Sequence, residues 1–254
     1  MKFLALLAGA ASVAAHGFVQ TITVGGQSYA NFNPSSDPYN PGHPARPGWS
    51  ATNTDLGFVE PNAAGTPNVI CHRDATPGAT SITVSAGSTL TLQWNTWPES
   101  HKGPVIDYLA RCSGSCTSVS KTSLQFFKIA QRGLDGGVWA ADRLIQNGNR
   151  WSVTIPSNLQ AGNYVLRHEI IALHSGGNPN GAQLYPQCIN LIVTGGGSSL
   201  PSGTAGTSLY RANDPGILFN IYNNPTSYPI PGPALRTRKA RAHARDMGDV
   251  TLLE

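Results

Sequence analysis

The amino-acid sequence predicts an all-β protein, built as an antiparallel β-sandwich with long surface loops, on three observations. Short stretches of alternating apolar and polar residues recur along the chain, as expected for strands that are buried on one face. The 254 residues include 28 Gly and 19 Pro, so turn-forming residues interrupt the chain often. No helical period continues for more than about two turns, which argues against a helical fold.

Six segments carry the strand pattern, and turn residues separate them. The predicted strands are 81–84, 90–94, 124–130, 151–155, 164–174 and 183–193. Glycine-rich or proline-rich turns lie at 86–87, 133–137, 147–148, 161–162 and 175–181. This spacing of strands and turns is typical of an immunoglobulin-like or fibronectin-like sandwich.

The stretch 32–67 differs from the strand segments and is rich in Asn, Pro and Gly. We interpret it as a surface loop, and loops of this length are usually functional. Segment 194–206 has the composition of a linker, but the stretch that follows is too short to fold alone. We therefore place residues 16–233 in one domain, with the stretch after 206 as a crossing loop. Residues 234–254 are predicted to form a basic, disordered tail.

The first fifteen residues have the pattern of a secretory signal peptide. One Lys precedes an apolar stretch that ends in the small residues Val13, Ala14 and Ala15. A buried first helix is the alternative, but the stretch is short and rich in Ala. Cleavage after Ala15 makes His16 the first residue of a secreted, extracellular protein.

Composition and charge exclude several classes of protein. With 40% hydrophobic and 12% charged residues, the chain is neither a coiled coil nor a charged disordered regulator. The net charge of +4 comes largely from Lys2 in the leader and from the basic tail. The domain between them is nearly neutral, so we expect no nucleic-acid partner. No apolar run after Ala15 is long enough to cross a bilayer, so we expect no membrane association.

The four cysteines are even in number, and secretion places them in an oxidising compartment, so two disulfides are expected. The spacing of Cys112 and Cys116 suits a local bridge, which leaves Cys71 to pair with Cys188. Spacing alone leaves the other two pairings open. A zinc site is the alternative for this spacing, and secretion disfavours it.

A histidine at the first position has a particular capacity for metals. The α-amino group titrates near neutrality, so its nitrogen and the ring Nδ1 of His16 can chelate one cation. His101, in the predicted loop 100–110, can reach such an N-terminus, with a solvated side chain as the alternative. His168 and His174 share one face of the predicted strand 164–174. Their spacing does not match the helical HExxH motif of zinc proteases.

Several motifs together resemble one known family. They are His16-Gly17 at the predicted mature terminus, HKGPV from His101, RHEIIALH from Arg167, QLYPQC from Gln183, and DPGILFNIY with YPIPGP from Asp214. In this order they resemble the fungal lytic polysaccharide monooxygenases of auxiliary activity family 9, formerly glycoside hydrolase family 61. The resemblance runs from His16 to the region of Pro233, and the basic tail is not part of the family pattern.

The resemblance implies a site for one copper ion, which cycles between Cu(II) and Cu(I). Family members hold copper with the amine and ring of the first residue, a second histidine and an axial tyrosine oxygen. In this sequence these are His16, His101 and Tyr185, a donor set that suits Cu(II). His174 and Gln183 match the family's outer pair, which hydrogen-bonds a bound oxygen species. A core aromatic with a satisfied hydroxyl is the alternative for Tyr185.

The resemblance also implies a substrate and the two disulfides Cys71–Cys188 and Cys112–Cys116. Family members cleave cellulose or related β-1,4-glucans oxidatively at C1, C4 or both, using O2 or H2O2 and an external electron donor. We expect a monomer that binds the glucan on a flat face. Tyr39, Tyr228 and Tyr210 are the candidates for packing against sugar rings, with decoration of loops as the alternative.

Two other functions compete with this one. A glycoside hydrolase needs two carboxylates that flank the scissile bond, and Asp107 and Glu169 are the candidates. Glu169, however, points away from His168 and His174 on its strand. A non-catalytic carbohydrate-binding or copper-binding protein is the other possibility, against which Tyr185 and the outer pair argue.

Overall fold

The computed structural model describes residues 16–235, so the predicted signal peptide and nearly all of the predicted basic tail lie outside the described residues. In chain order the strands are β1 (Val19–Val24), β2 (Gln27–Ala30), β3 (Ile82–Ser85), β4 (Thr89–Trp94), β5 (Val105–Arg111), β6 (Gln125–Arg132), β7 (Leu134–Asp135), β8 (Val138–Trp139), β9 (Arg150–Thr154), β10 (Gly162–Ala172), β11 (Gln183–Thr194) and β12 (Thr204–Ala205). The α-helices are α1 (Asn68–Cys71) and α2 (Ala140–Gln146). Short 3-10 helices lie at Asp37–Tyr39, Pro61–Ala63, Cys116–Ser118, Lys121–Ser123 and Gly206–Ser208.

The strands form two main sheets and a short hairpin of β7 and β8. The four-stranded sheet has the order β2-β1-β4-β9, and the six-stranded sheet has the order β12-β6-β5-β10-β11-β3. Neighbouring strands are antiparallel, except that β3 pairs with β11 in parallel at one edge. The predicted antiparallel β-sandwich is therefore confirmed, and this one parallel pair is an addition to it.

The main core lies between the two sheets. The four-stranded sheet contributes Ile22, Leu92 and Trp94, and the six-stranded sheet contributes Leu166 and Ile170, all fully buried. Apolar side chains alternate with polar ones along the four-stranded sheet because its other face meets solvent. Burial of this apolar surface is the main source of stability.

A second apolar cluster covers the outer face of the six-stranded sheet. Ile171 on β10 packs there with Trp49, from the loop before α1, and with Ile70 of α1. Leu209 and Ile217, from the stretch after residue 206, complete the cover. That stretch therefore crosses the same sheet, and the six-stranded sheet is buried on both faces.

The prediction of a loop over 100–110 is wrong beyond its first residues. Strand β5 starts at Val105, and each of its first six residues is buried. A central strand buried on both faces shows no alternation of apolar and polar residues, so the pattern that reveals strands is missing there.

Two disulfides tie loops to the six-stranded sheet. Cys71 at the end of α1 bonds to Cys188 on β11, and Cys112 bonds to Cys116 four residues later. These are the pairs that the family resemblance implies. Across the part of the chain that the structure describes, no helix has the length and apolar character required to cross a bilayer.

Candidate metal centre

The backbone around His101 is fixed by hydrogen bonds from two directions. Its N–H donates to the Pro98 carbonyl over 3.0 Å, and its own carbonyl accepts from Trp97 Nε1 over 2.9 Å. The Lys102 carbonyl accepts from the Leu173 N–H over 2.8 Å. The loop that carries His101 is thereby tied to the end of β10, where the chain continues into His174.

His16 reaches the same place from the chain segment that leads into β1. Its ring centroid lies 5.4 Å from that of His101 and 5.6 Å from that of Tyr185. The Phe58 ring, from the long loop before β3, lies 6.1 Å from the His16 ring. Side chains that are far apart in the sequence therefore surround one point.

The imidazole of His101 has the chemistry of a metal ligand. Its Nδ1 lies 3.1 Å from Ser100 Oγ, whereas its Nε2 is buried without a hydrogen-bond partner in the protein. Burial, helped by the charges of His174 and His16, lowers the pKa of His101 to about 4. The ring is therefore neutral at pH 7, and a neutral imidazole offers a lone pair to a metal.

His174 and Gln183 lie beside the place that the side chains of His16, His101 and Tyr185 surround. The His174 ring centroid lies 4.1 Å from that of His101, and its Nδ1 is buried without a partner. Burial, with the positive charge of His16, lowers the pKa of His174. Gln183 Oε1 accepts a hydrogen bond from the Tyr185 hydroxyl over 2.7 Å, which leaves the Gln183 amide nitrogen as a donor.

Tyr185 contributes its phenol from β11. The side chain is 2% exposed, and its ring lies 5.0 Å from the Trp97 ring. Burial raises the pKa of Tyr185, so the phenol keeps its proton. Its oxygen is therefore neutral and would be a weak donor to a metal.

The residues present fit copper if the chain begins at His16. Within residues 16–235, no three His, Cys, Asp or Glu side chains are grouped so as to hold a metal ion alone. The buried, unpartnered Nε2 of His101 and the ring of His16 supply two nitrogens at one place. A free amine on His16 adds the third, and three nitrogens with a weak axial oxygen suit Cu(II).

The prediction that His168 and His174 share one strand face is wrong, because β10 ends at Ala172. His168 is fully buried in the main core. Its Nδ1 lies 2.6 Å from Asp107 Oδ1, and its Nε2 accepts from Trp94 Nε1 over 3.0 Å. Both ring nitrogens are satisfied, so His168 is a structural residue.

The two carboxylates considered for hydrolysis lie on opposite faces of the six-stranded sheet. Asp107 pairs with His168 on the core face, whereas Glu169 binds the guanidinium of Arg167 on the outer face at 2.7 and 2.9 Å. Both carboxylates are fully buried. They cannot flank a glycosidic bond, which removes the structural basis for a hydrolase at this pair.

The prediction that Tyr210 packs against sugar is wrong. Tyr210 is only 3% exposed, and its hydroxyl bonds to Glu169 and, over 2.9 Å, to the Tyr108 hydroxyl beneath the crossing loop.

Tyr228 is half-buried, with its ring 5.0 Å from both Trp139 and Phe219. Its hydroxyl donates to the Gly216 carbonyl. Tyr228 is therefore a packing residue and not a flat platform.

Two tyrosines are strongly exposed, and only one was predicted as a sugar contact. Tyr39 is 72% exposed and Tyr222 is 70% exposed. Phe219, just before Tyr222, donates its N–H to the Gly176 carbonyl over 2.8 Å, in the turn that follows His174. Tyr222 is the last residue of the DPGILFNIY motif. This motif was the only sequence signal that could have pointed to Tyr222 as a candidate sugar contact.

Comparison with known proteins identifies the class to which this fold and site belong. The sequence profile of Auxiliary Activity family 9 (formerly GH61) matches residues 16–228, starting at His16. The AA9 family lytic polysaccharide monooxygenase F of Malbranchea cinnamomea is 62% identical over 91% of this chain and 95% of its own. Monooxygenase H of Thermothelomyces thermophilus is 59% identical over 98% of this chain and 73% of its own.

Solved structures agree with the sequence comparison. The extended catalytic domain of H. jecorina LPMO9A, also called EG4, superposes with a TM-score of 0.85 at 51% identity, covering 87% of this chain and 91% of that one. A cellulose-active polysaccharide monooxygenase from M. thermophila superposes with a TM-score of 0.75 at 29% identity, covering 87% of this chain and 98% of that one. The chain belongs to Auxiliary Activity family 9 and is a copper-dependent lytic polysaccharide monooxygenase, an oxidoreductase of a family of secreted fungal enzymes.

Proposed function

We propose that this protein is secreted and cleaves β-1,4-glucan chains, cellulose in particular, by oxidation at C1, C4 or both. One observation supports this most strongly: the His16 ring, the unpartnered Nε2 of His101 and the Tyr185 phenol surround one point. The cellulose-active relative from M. thermophila supports cellulose as the substrate. The carboxylate pair that hydrolysis requires has no counterpart in Asp107 and Glu169, which are buried and hydrogen-bonded elsewhere.

In this proposal the amine and ring of His16 and the Nε2 of His101 would hold one copper ion, with the Tyr185 oxygen as a further, weaker donor. Bound copper supplies one-electron redox chemistry with O2 or H2O2, the electrons coming from a small reductant or a redox enzyme. The oxidation places a hydroxyl on C1 or C4 of a glucose unit, and the adjoining glycosidic bond then breaks by elimination.

The protein residues prepare this site in three ways. The low pKa of His101 keeps its ring neutral and available without loss of a proton at pH 7. The raised pKa of Tyr185 keeps its phenol protonated, so its oxygen would be only a weak donor to the metal. His174 and the Gln183 amide stand beside the point of ligation, where they can hydrogen-bond the oxidant and hold it in one orientation.

We propose that Tyr39 and Tyr222 bind the glucan. Both rings are exposed and lie in irregular segments, Tyr39 at the end of a 3-10 helix and Tyr222 beside the turn after His174. Aromatic rings pack against the apolar faces of sugar rings and carry a polar hydroxyl for the sugar edge. Two such platforms hold a glucan chain across the surface and not in a cleft.

The test incubates the protein, beginning at His16 and loaded with copper, with cellulose, ascorbate and O2 or H2O2, followed by mass analysis of the products. We expect oligosaccharides that carry the oxidised-end mass shift, lost on omission of reductant, on addition of a chelator, and in His101→Ala. The matched control Asn163→Ala, which removes a remote bond to the Gly114 carbonyl, should behave like the wild type. Release of unoxidised sugars without reductant, or adsorption without products, would contradict the proposal.

A further inference from the structure

The chain just after the first histidine is held by side-chain amides from two other segments. Asn95 Oδ1 accepts a hydrogen bond from the Phe18 N–H over 2.8 Å, and Gln187 Oε1 accepts one from the Val19 N–H over 2.8 Å. Asn95 also donates its own N–H to the Phe18 carbonyl over 3.1 Å. Asn95 directly follows β4, and Gln187 lies on β11, two residues after Tyr185.

These contacts occur where the ordinary strand pairing stops. The ladder between β1 and β4 is irregular between Val19 and Thr21, and β1 itself begins at Val19. Residues nearer the terminus therefore have no regular ladder to hold them, and unrestrained chain ends are poorly ordered. Here the side-chain oxygens of Asn95 and Gln187 accept hydrogen bonds from the N–H groups of Phe18 and Val19, in place of the missing ladder.

Close packing fixes the intervening residue. A Cβ on Gly17 would lie 1.9 Å from the Thr96 carbonyl oxygen and 3.1 Å from Asn95 Oδ1. No side chain fits there, so the backbone of Gly17 lies directly against the segment that carries Asn95. This close packing restricts the backbone that follows His16 to one position against the protein surface.

We propose that Asn95 and Gln187 are positioning residues that hold the terminal chelate of His16 in line with the Nε2 of His101. Neither side chain is a ligand in the proposed site; each acts through the backbone that carries the ligand. Metal sites need their ligands held to within about 0.5 Å of the productive geometry, and a chain terminus does not supply that by itself. The inference rests on the proposed copper site.

The test compares copper binding in proteins that begin at His16. The double variant Asn95→Ala with Gln187→Ala is measured against the wild type by calorimetry with Cu(II), by electron paramagnetic resonance and by thermal unfolding without metal. We expect the affinity for Cu(II) to fall about tenfold to a hundredfold, as for other groups that orient ligands, and the copper spectrum to change. Asn95→Asp and Gln187→Glu keep an acceptor oxygen and should restore the affinity.

The control Asn163→Ala removes one side-chain hydrogen bond to a backbone carbonyl far from the terminus. Two results together support positioning. The double variant and the control lose similar amounts of stability without metal, and only the double variant loses affinity for copper. Unchanged affinity and spectrum, or equal losses of affinity in the control, would overturn it. If the double variant does not fold, the two single variants give the same comparison. Wild-type copper binding without oxidised products counts against the proposed function and leaves this inference standing.

An independent feature lies behind the same site. A cavity of about 20 Å³ is lined by Gly17 and Tyr185 and by the polar residues Asn31, Asn53 and His72. These three polar residues are 5%, 7% and 3% exposed. Asn31 Oδ1, Asn53 Oδ1 and His72 Nε2 are buried without a hydrogen-bond partner in the protein. Buried polar atoms without a partner are costly, so three around one cavity require an explanation.

The three atoms have complementary hydrogen-bonding roles. His72 Nδ1 accepts from the Arg73 N–H over 2.9 Å, so the neutral ring carries its proton on Nε2. Asn31 Nδ2 donates to the Val19 carbonyl over 2.8 Å, which leaves Oδ1 as its acceptor. Residues that line the cavity therefore carry one donor and two acceptors without a partner, and the cavity has the size that one ordered water needs.

We infer that this cavity is a binding site for one ordered water, which accepts from His72 Nε2 and donates to the oxygens of Asn31 and Asn53. A crystal structure of the metal-free protein at atomic resolution tests this, with Asn53→Val as the comparison. A water peak within hydrogen-bond distance of all three atoms, absent in Asn53→Val, is the expected result. A wild-type cavity that is empty, or closed by direct bonds among the three side chains, would contradict the inference.

Discussion

At the scale of single residues, hydrogen-bond partners distinguish the histidines of this chain. His168 is fully buried with both ring nitrogens paired, so no lone pair is available to a ligand. His101 is also buried, but its Nε2 has no partner and lies beside the ring of His16. Both histidines are buried, but only His101 keeps a ring nitrogen without a partner, as a metal ligand requires.

The low pKa of His72 predicts a pH-dependent stability. Burial, with the charge of Arg73, lowers this pKa to about 4, whereas an unfolded histidine titrates near 6.5. The unfolded state therefore binds more protons below pH 6.5, and stability falls as the pH drops from about 6.5 to about 4. The full effect is about 3 kcal/mol.

Urea unfolding of the metal-free protein at pH 7 and pH 4.5 measures this effect against His72→Gln, whose amide does not titrate. We expect a smaller loss of stability on acidification in His72→Gln than in the wild type. His101 shifts stability in the same direction, so the difference between the two proteins isolates His72. Equal losses in both would contradict the assignment.

The tyrosines give a second prediction at this scale. Tyr39→Ala with Tyr222→Ala should weaken adsorption to cellulose severalfold while leaving the affinity for Cu(II) unchanged, because both rings are exposed. Tyr228→Ala should instead lower the free energy of unfolding by about 2 kcal/mol, since its ring packs on Trp139 and Phe219. Binding isotherms and urea unfolding check both; the reverse pattern would restore Tyr228 as the sugar contact.

At the scale of elements, the sequence predicted six of the twelve strands that the structure describes. The six predicted strands are all present, with ends within two residues of those observed. Strand β5 carries no alternation because both of its faces are buried. The prediction also missed β1 and its neighbour β2, a four-residue edge strand without a buried residue.

Some residues of the candidate site could be predicted from the sequence, and others could not. His16, His101, Tyr185, His174 and Gln183 were found through motifs that have a fixed order along the chain, and the structure brings them together. The choice between Tyr222 and Tyr228 depended on which ring faces solvent. Tertiary packing decides that exposure, and neither residue lies in a regular element whose period would reveal it.

The two disulfides are predicted to contribute unequally. The bond between Cys71 and Cys188 closes a loop with a sequence separation of 117, whereas Cys112 and Cys116 are separated by 4. Loop-closure entropy then predicts a loss of about 5 kcal/mol on replacing the first pair by Ala and about 2 kcal/mol for the second. Urea unfolding of the two double variants measures this, and equal losses would contradict the prediction.

At the scale of the whole molecule, the sandwich supports the segment that carries His16. The six-stranded sheet is buried on both faces, and β11 carries Tyr185, Gln187 and Cys188 within four residues. The loop of His101 and the start of β1 meet this strand at one end. If the chain begins at His16, we expect that residue to serve as a ligand, because the segments of Asn95 and Gln187 hold the backbone that follows it.

The central claim is that the amine and ring of His16 form a metal site with His101. The most direct test compares Cu(II) affinity and the electron paramagnetic resonance spectrum of a protein that begins at His16 with one that carries a single extra Ala before it. The extra residue converts the amine into an amide, so we predict a large loss of affinity and a changed pattern of nitrogen couplings. Equal affinity and an identical spectrum in the two proteins would contradict the account.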